Sequence, residues 1–159
     1  MFQFWAYDAR MITSDDITWN ASMDEHPARS ASQRSYSAVA KGDLAEWLTV
    51  YAPDAVLEDP VGPSMFDPEG KGHHGHEGIT AFWKQAIEPI ARFEFTINES
   101  FAHDKTCANL GRIKTSFPDG SYTVTDLIMI YVVNDDGTVA SMKAYWEPDR
   151  TMASFTPAP

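Results

Sequence analysis

Asp59 is the residue whose type and setting most directly suggest chemistry. It closes the run Ala55-Val56-Leu57-Glu58-Asp59 and is followed by Pro60, Val61 and Gly62. In an extended chain alternate residues share a face, so Ala55, Leu57 and Asp59 point one way and Val56 and Glu58 the other. An aspartate facing the same way as a leucine and an alanine sits either at the wet end of a strand, as a turn residue before proline, or inside an apolar cavity. Inside a cavity, burial disfavours the charged form and raises the pKa. A carboxylate tuned in that way is a general base able to move a proton near neutral pH.

Other residue groupings carry less. His73, His74 and His76 crowd a glycine-rich loop, but three histidines in four residues imply neither a fixed geometry nor supporting partners, so a solvated loop and no metal are expected. Gly70, Gly72 and Gly75 fit the dinucleotide pattern G-x-G-x-x-G. That pattern has meaning only directly after a buried strand, and residues 64–69 contain Asp67-Pro68 with no apolar run. Serine and histidine occur without a nucleophile elbow. The single cysteine, Cys107, excludes an internal disulfide and reads as a small buried strand residue. No cofactor is expected.

A buried base needs a scaffold that encloses it. The chain has 159 residues, about one domain. Its hydrophobic content of 43% and aromatic content of 13% exceed what a small core requires. The surplus either fills a well-packed core or lines a ligand cavity or an oligomer interface. A net charge of −11 without any run of Lys or Arg opposes binding to nucleic acid and to anionic membranes. The segment from Met1 to Ile12 lacks a basic start and carries Asp8 and Arg10, unlike a signal peptide. No stretch reaches the roughly 18 apolar residues of a membrane helix, so a cytoplasmic location is expected.

Helix signals come first along the chain. Pro27 to Ala40 suits a helix with an early proline, ended by Lys41-Gly42. Asp43 caps a second helix in which Leu44, Trp47, Leu48 and Tyr51 recur at helical spacing. Residues 55–59 read as a short strand, residues 62–75 as a loop, and residues 76–87 as a third helix with Ile79, Phe82, Trp83 and Ile87 inward. The period then changes to two over 92–99, 105–117, 121–134 and 138–147. Pro118-Asp119-Gly120 and Asp135-Asp136-Gly137 separate the last three, as in an antiparallel meander. The expected fold is α+β, three helices packed on a curved, mainly antiparallel sheet. Residues 1–25 would form an N-terminal arm, with Phe2, Phe4, Trp5 and Tyr7 covering a groove. Residues 26–150 would be the domain and 151–159 a C-terminal tail. Parity places Met142, Ala144 and Trp146 on one face and Leu127, Met129 and Tyr131 on one face. With Phe82 and Trp83 they make an aromatic and thioether wall suited to a rigid polycyclic apolar ligand.

The stretches Val-Leu-Glu-Asp-Pro-Val-Gly (56–62), Gly-His-Glu-Gly-Ile-Thr-Ala-Phe-Trp (75–83) and Ser-Met-Lys-Ala-Tyr-Trp (141–146) resemble the ketosteroid-isomerase-like branch of the nuclear transport factor 2-like (SnoaL-like) superfamily. Gly42-Asp43 and Tyr51 add to the match, which covers roughly residues 30–147. The resemblance implies a cone-shaped, cystatin-like fold and a steroid Δ-isomerase type of activity. Asp59 would carry a proton from one carbon to another beside a ketone, with two acids holding the resulting enolate oxygen. That superfamily enzyme is itself the standard example of a carboxylic acid kept neutral to donate such a hydrogen bond.

The two acids do not carry over directly. Counting back from Ala144-Tyr145-Trp146, the protonated-acid position falls on Met129, which has no proton to donate. Asp126 is the nearest acid, on the opposite face by parity. Counting back from Gly42, the tyrosine position falls on Ser35, and Tyr36 lies one helical residue, about 100°, further round. Arg112 faces either the cavity, as a substitute cation, or solvent together with Lys114. The implied catalytic residues are Asp59 and Tyr36. The implied ligand-binding residues are Tyr51, Leu57, Phe82, Trp83, Leu127, Met129, Met142 and Trp146. With two donors unmatched, weak isomerisation is expected. The alternatives are a non-catalytic binding protein for a steroid or polyketide-like ligand, or a hydrolase or dehydratase of the same fold, which would need a pair such as His103 with an acid. A homodimer is expected through the outer sheet face, at Ile128, Ile130 and Val132.

Overall fold

Local signals along the chain set each element boundary. The computed structural model describes residues 15–159, so the expected groove-covering role of Phe2, Phe4, Trp5 and Tyr7 lies outside the described residues. Helix α1 spans Pro27–Lys41, with Pro27 in its first turn and the ring of His26 accepting from the backbone N–H of Ala28. Gly42 ends it in the left-handed conformation at φ 68°, which glycine adopts without steric cost. Asp43 caps α2 (Leu44–Val50) by accepting from the Glu46 N–H.

Strand β2 (Tyr51–Glu58) follows directly, then a loop, the two-residue β3 (His73–His74) and α3 (Gly75–Phe82). Four strands come next: β4 (Arg92–His103), β5 (Thr106–Ser116), β6 (Tyr122–Val133) and β7 (Val139–Tyr145). Together with β1 (Ile17–Trp19) they form one seven-stranded sheet in the order β1-β4-β5-β6-β7-β2-β3. Only β1 with β4 and β2 with β7 run parallel. The sheet curves, and the helices pack on its inner face. This is the expected α+β arrangement.

Tyr51, read above with the second helix, instead opens a β2 longer than the expected 55–59, and β3 lies inside the expected loop 62–75. Four further features depart from the sequence expectation. First, the arm contributes β1, which pairs with β4 at Ile17–Phe95, Thr18–Thr96 and Trp19–Ile97. Second, β4 runs on to His103 because a bulge between Ile97 and Glu99 keeps it paired. Third, the helix after β3 changes to a π-helical turn over Trp83–Ile87, which the apolar spacing alone does not reveal. Fourth, a short helix α4 (Pro148–Ala153) starts before the boundary at 150 and leads to Thr156, which is bridged to Tyr122.

Candidate functional site

The parallel register of β2 and β7, with Leu57 opposite Met142 and Glu58 opposite Lys143, brings the ends of these two strands level. Asp59 follows β2 and Trp146 follows β7. The indole Nε1–H of Trp146 donates to Asp59 Oδ1 at 2.7 Å. The Val61 N–H donates to the Ala144 carbonyl at 2.9 Å and ties the next residues to the same strand. Oδ2 accepts no hydrogen bond among the described residues.

Asp59, half-buried, lies on the wall of a cavity of about 320 Å³ between the sheet and the helices. Among the described residues it is the only carboxylate on the wall. Burial pushes its pKa from 3.8 up to about 6, against the opposing effect of the Trp146 hydrogen bond. Half of the carboxyl is held and half is free, at a pKa close to that of a working general base.

The sequence-derived residues divide into two groups. Tyr36, Tyr51, Phe82, Leu127, Met129, Met142 and Trp146 share the cavity wall with Asp59. Leu57 and Trp83 are buried but off it, a correction to the expected lining. Leu57 is fully buried on β2, paired with Met142 of β7 and His73 of β3. Trp83 packs against Trp47 at a ring distance of 5.1 Å. It opens the π-helical turn, and Ala86, Ile87 and Ile90 later in the chain line the wall in its place.

Arg112 takes the solvent-facing alternative. It is exposed and grips Asp126 through two hydrogen bonds of 2.7 and 3.2 Å, with Arg150 adding a third at 3.0 Å. Neither Arg112 nor Asp126 faces the cavity. His103 is exposed at the β4–β5 turn, so the His–acid pair that a hydrolase would need is not formed there.

One end of the cavity is phenolic. Tyr36, Tyr51 and Tyr131 are fully buried on the same wall as Ser35. Burial is the largest effect on all three phenols and pushes each pKa well above its ordinary value, so they remain protonated and able to donate. Trp47 Nε1–H fixes Ser35 Oγ at 2.9 Å. The Tyr36 ring stacks on Phe95 at 5.1 Å and meets Tyr131 edge-on at 6.0 Å. The Tyr51 hydroxyl is buried without a partner among the described residues. Such a group costs free energy unless something binds it. Parity places Tyr131 beside Met129, yet the residue count pointed at Met129 alone. Tyr131 is on the lining face expected from that parity, and its phenol joins Tyr36 and Tyr51 on the wall.

Away from the phenols, Thr115, Thr123, Thr125 and Thr151 add hydroxyls to the wall. Met65 and Phe66 bring the 60–72 loop onto it, with Phe66 edge-on to Phe82 at 5.8 Å. A single raised carboxylate, phenolic donors and an otherwise apolar lining can together shift a proton on a carbon acid and hold the oxygen that becomes negative.

The match to known proteins is of the same kind. Residues 32–142 match the SnoaL-like domain, and the chain belongs to that family, with a fold of nuclear transport factor 2 type. A steroid Delta-isomerase of Nocardioides simplex is 32% identical over 123 residues, 76% of this chain and 89% of that one. The crystal structure of Delta 5-3-ketosteroid isomerase from a Mycobacterium species superposes with a TM-score of 0.74 at 30% identity, covering 83% of this chain and 98% of that one. A Mycobacterium tuberculosis protein in complex with estradiol-17beta-hemisuccinate gives a TM-score of 0.74 at 31% identity, covering 83% and 99%.

Proposed function

We propose that this protein binds a steroid or similarly rigid polycyclic ketone in its cavity and catalyses double-bond migration, with Asp59 as the proton-carrying base. The observation that supports this most is the unmatched oxygen of Asp59 on an apolar wall, at a pKa of about 6. Ionised Asp59 Oδ2 takes a proton from the carbon between the ketone and the isolated double bond. The C–H electron pair moves into the ring system as a dienolate, and the developing oxyanion is held by a phenol, with Tyr36 on the wall to donate. Protonated Asp59 then returns the proton to the far carbon of the diene and the carbonyl re-forms. No electrons leave the substrate, so the step needs no cofactor.

The relatives support the ligand class. The Nocardioides protein is a steroid Delta-isomerase, and the Mycobacterium tuberculosis structure holds an estradiol derivative. The deciding measurement is the ultraviolet absorbance of a conjugated enone after addition of a β,γ-unsaturated 3-ketosteroid. Turnover is expected, falling in Asp59→Asn by at least about 10², the usual weight of a positioned base. Absence of product with the wild-type protein would remove the reading.

A second reading, ligand binding without turnover, has one observation in its favour. Met129 lies buried on the wall at the position where the family resemblance implies a carboxylic acid, and each such donor contributes roughly 10²–10³ in rate. A steroid that raises the melting temperature without yielding product would select it. We further propose a homodimer through the outer sheet face, where Leu110, Ile128 and Tyr145 stand exposed in one cross-strand row.

A further inference from the structure

Beneath the phenolic end of the cavity, a line of buried polar side chains joins helix α1 to strands β4 and β5. Arg29 Nε–H donates to Ser100 Oγ at 2.9 Å, and its Nη2 donates to the Ser100 carbonyl at 3.2 Å. Ser100 Oγ lies 3.4 Å from Cys107 Sγ. Cys107 donates to Asn109 Oδ1 at 3.2 Å. Asn109 Nδ2 donates to Ser32 Oγ at 2.9 Å and to the Tyr36 hydroxyl at 2.8 Å. All six side chains are buried.

A count of protons gives this line a single direction. Cys107 has one S–H and spends it on Asn109, so the hydrogen between Ser100 and Cys107 belongs to Ser100. Ser32 spends its hydroxyl proton on the Arg29 carbonyl at 2.7 Å and must therefore receive one from Asn109. That fixes the amide with its nitrogen toward Ser32 and Tyr36. Tyr36 accepts from Asn109, and the phenol of Tyr131 is a second hydrogen-bonding neighbour. No well-aligned acceptor among the described residues takes the Tyr36 proton, and Tyr36 lies on the cavity wall.

We propose that Arg29, Ser100, Cys107 and Asn109 are positioning residues forming a one-way donor chain that starts at a guanidinium and strengthens Tyr36 as a hydrogen-bond donor to the ligand oxygen. Each donor in such a chain polarises the next, and a poorly screened interior preserves the effect. This inference rests on the cavity reading above, in which Tyr36 faces the ligand's oxygen. The thiol of Cys107 serves it as a link and not as a nucleophile, because burial, the largest effect, raises its pKa.

The test uses 2-naphthol, whose neutral and ionised forms fluoresce at different wavelengths. It is bound to the Asp59→Asn protein so that no carboxylate opposes the anion. A stronger Tyr36 donor increases the ionised fraction of the bound naphthol. Replacing Cys107 by Ala should lower the bound ionised-to-neutral ratio by about 1.5- to 2-fold, a fraction of one ordinary hydrogen bond because the change reaches Tyr36 through Asn109. Replacing it by Ser, which keeps a donor, should return the ratio to the wild-type value. Ser100→Ala severs the chain at a different link and should lower the ratio as Cys107→Ala does, whether or not either change alters the melting temperature. An unchanged ratio in both alanine variants overturns the relay and leaves the cavity reading standing. Failure of the Asp59→Asn protein to bind naphthol overturns both.

Discussion

Asp59 carries a cost that its surroundings do not remove. Its carboxyl titrates at about 6 in the folded chain against 3.8 ordinarily, because burial penalises the charge more than Trp146 favours it. Below about pH 4 both folded and unfolded chains hold the proton and no penalty exists. Between about 4 and 6 the folded chain holds more protons than the unfolded one, so stability falls as pH rises. Above about 6 the penalty is complete, at most about 3 kcal/mol for a shift of this size. Asparagine keeps the acceptor for Trp146 and drops the charge. Urea denaturation over a pH series should therefore show Asp59→Asn more stable than wild type at pH 8, by up to about 3 kcal/mol, with the difference vanishing near pH 4. A gain that persists unchanged at pH 4 would mean that the carboxylate is not desolvated.

At the scale of elements, Gly111 shows how tightly β4 and β5 are joined. A Cβ at this position would lie 2.5 Å from the Thr96 carbonyl oxygen and 2.9 Å from Ile97 Cδ1, close to the bulge between Ile97 and Glu99. The backbone must move to admit even a methyl group, so Gly111→Ala should lower thermal stability by about 1–3 kcal/mol.

The same scale explains what the sequence disclosed. Helix caps at Gly42 and Asp43 and the turns at 118–120 and 135–137 are local signals and placed their elements to within a few residues. Strand parity also put Leu127, Met129 and Met142 on the wall shared with Asp59, since period two survives unless a bulge intervenes. Leu57 and Trp83 escaped it because burial in the packed core and burial against a cavity leave the same apolar signature. The π-helical turn, the pairing of β1 and the two-residue β3 depend on distant partners. The Arg29-to-Tyr36 chain was invisible for a similar reason. Its α1 members recur at 29, 32 and 36 and its β5 members at 107 and 109, and only the folded chain brings the two sets together.

For the whole molecule, the two faces of the sheet have opposite duties. The inner face encloses the cavity. The outer face displays Leu110, Ile128 and Tyr145 in register across β5, β6 and β7, with Phe101 exposed near one end. A chain of net charge −11 that leaves such a row in water has a surface suited to a second copy, consistent with the proposed homodimer. Light scattering at micromolar concentration should give twice the chain mass. Ile128→Glu, which sets a like charge against itself across a two-fold axis, should halve it without lowering the melting temperature of the separated chain appreciably. A wild-type mass of one chain would end the proposal.

Because Asp59 is the one carboxyl group on the cavity wall among the described residues, and its neighbours there are hydrocarbon, thioether, indole, phenol and hydroxyl, the proposed proton transfer has no second carboxylate to pass through. The isotopic history of the product should record this. A ketosteroid deuterated at the position that loses its hydrogen should emerge with most of the label moved to the receiving carbon when turnover occurs in ordinary water, as mass spectrometry would show. Complete washout of the label would mean that bulk water reaches the acid faster than the rings rearrange.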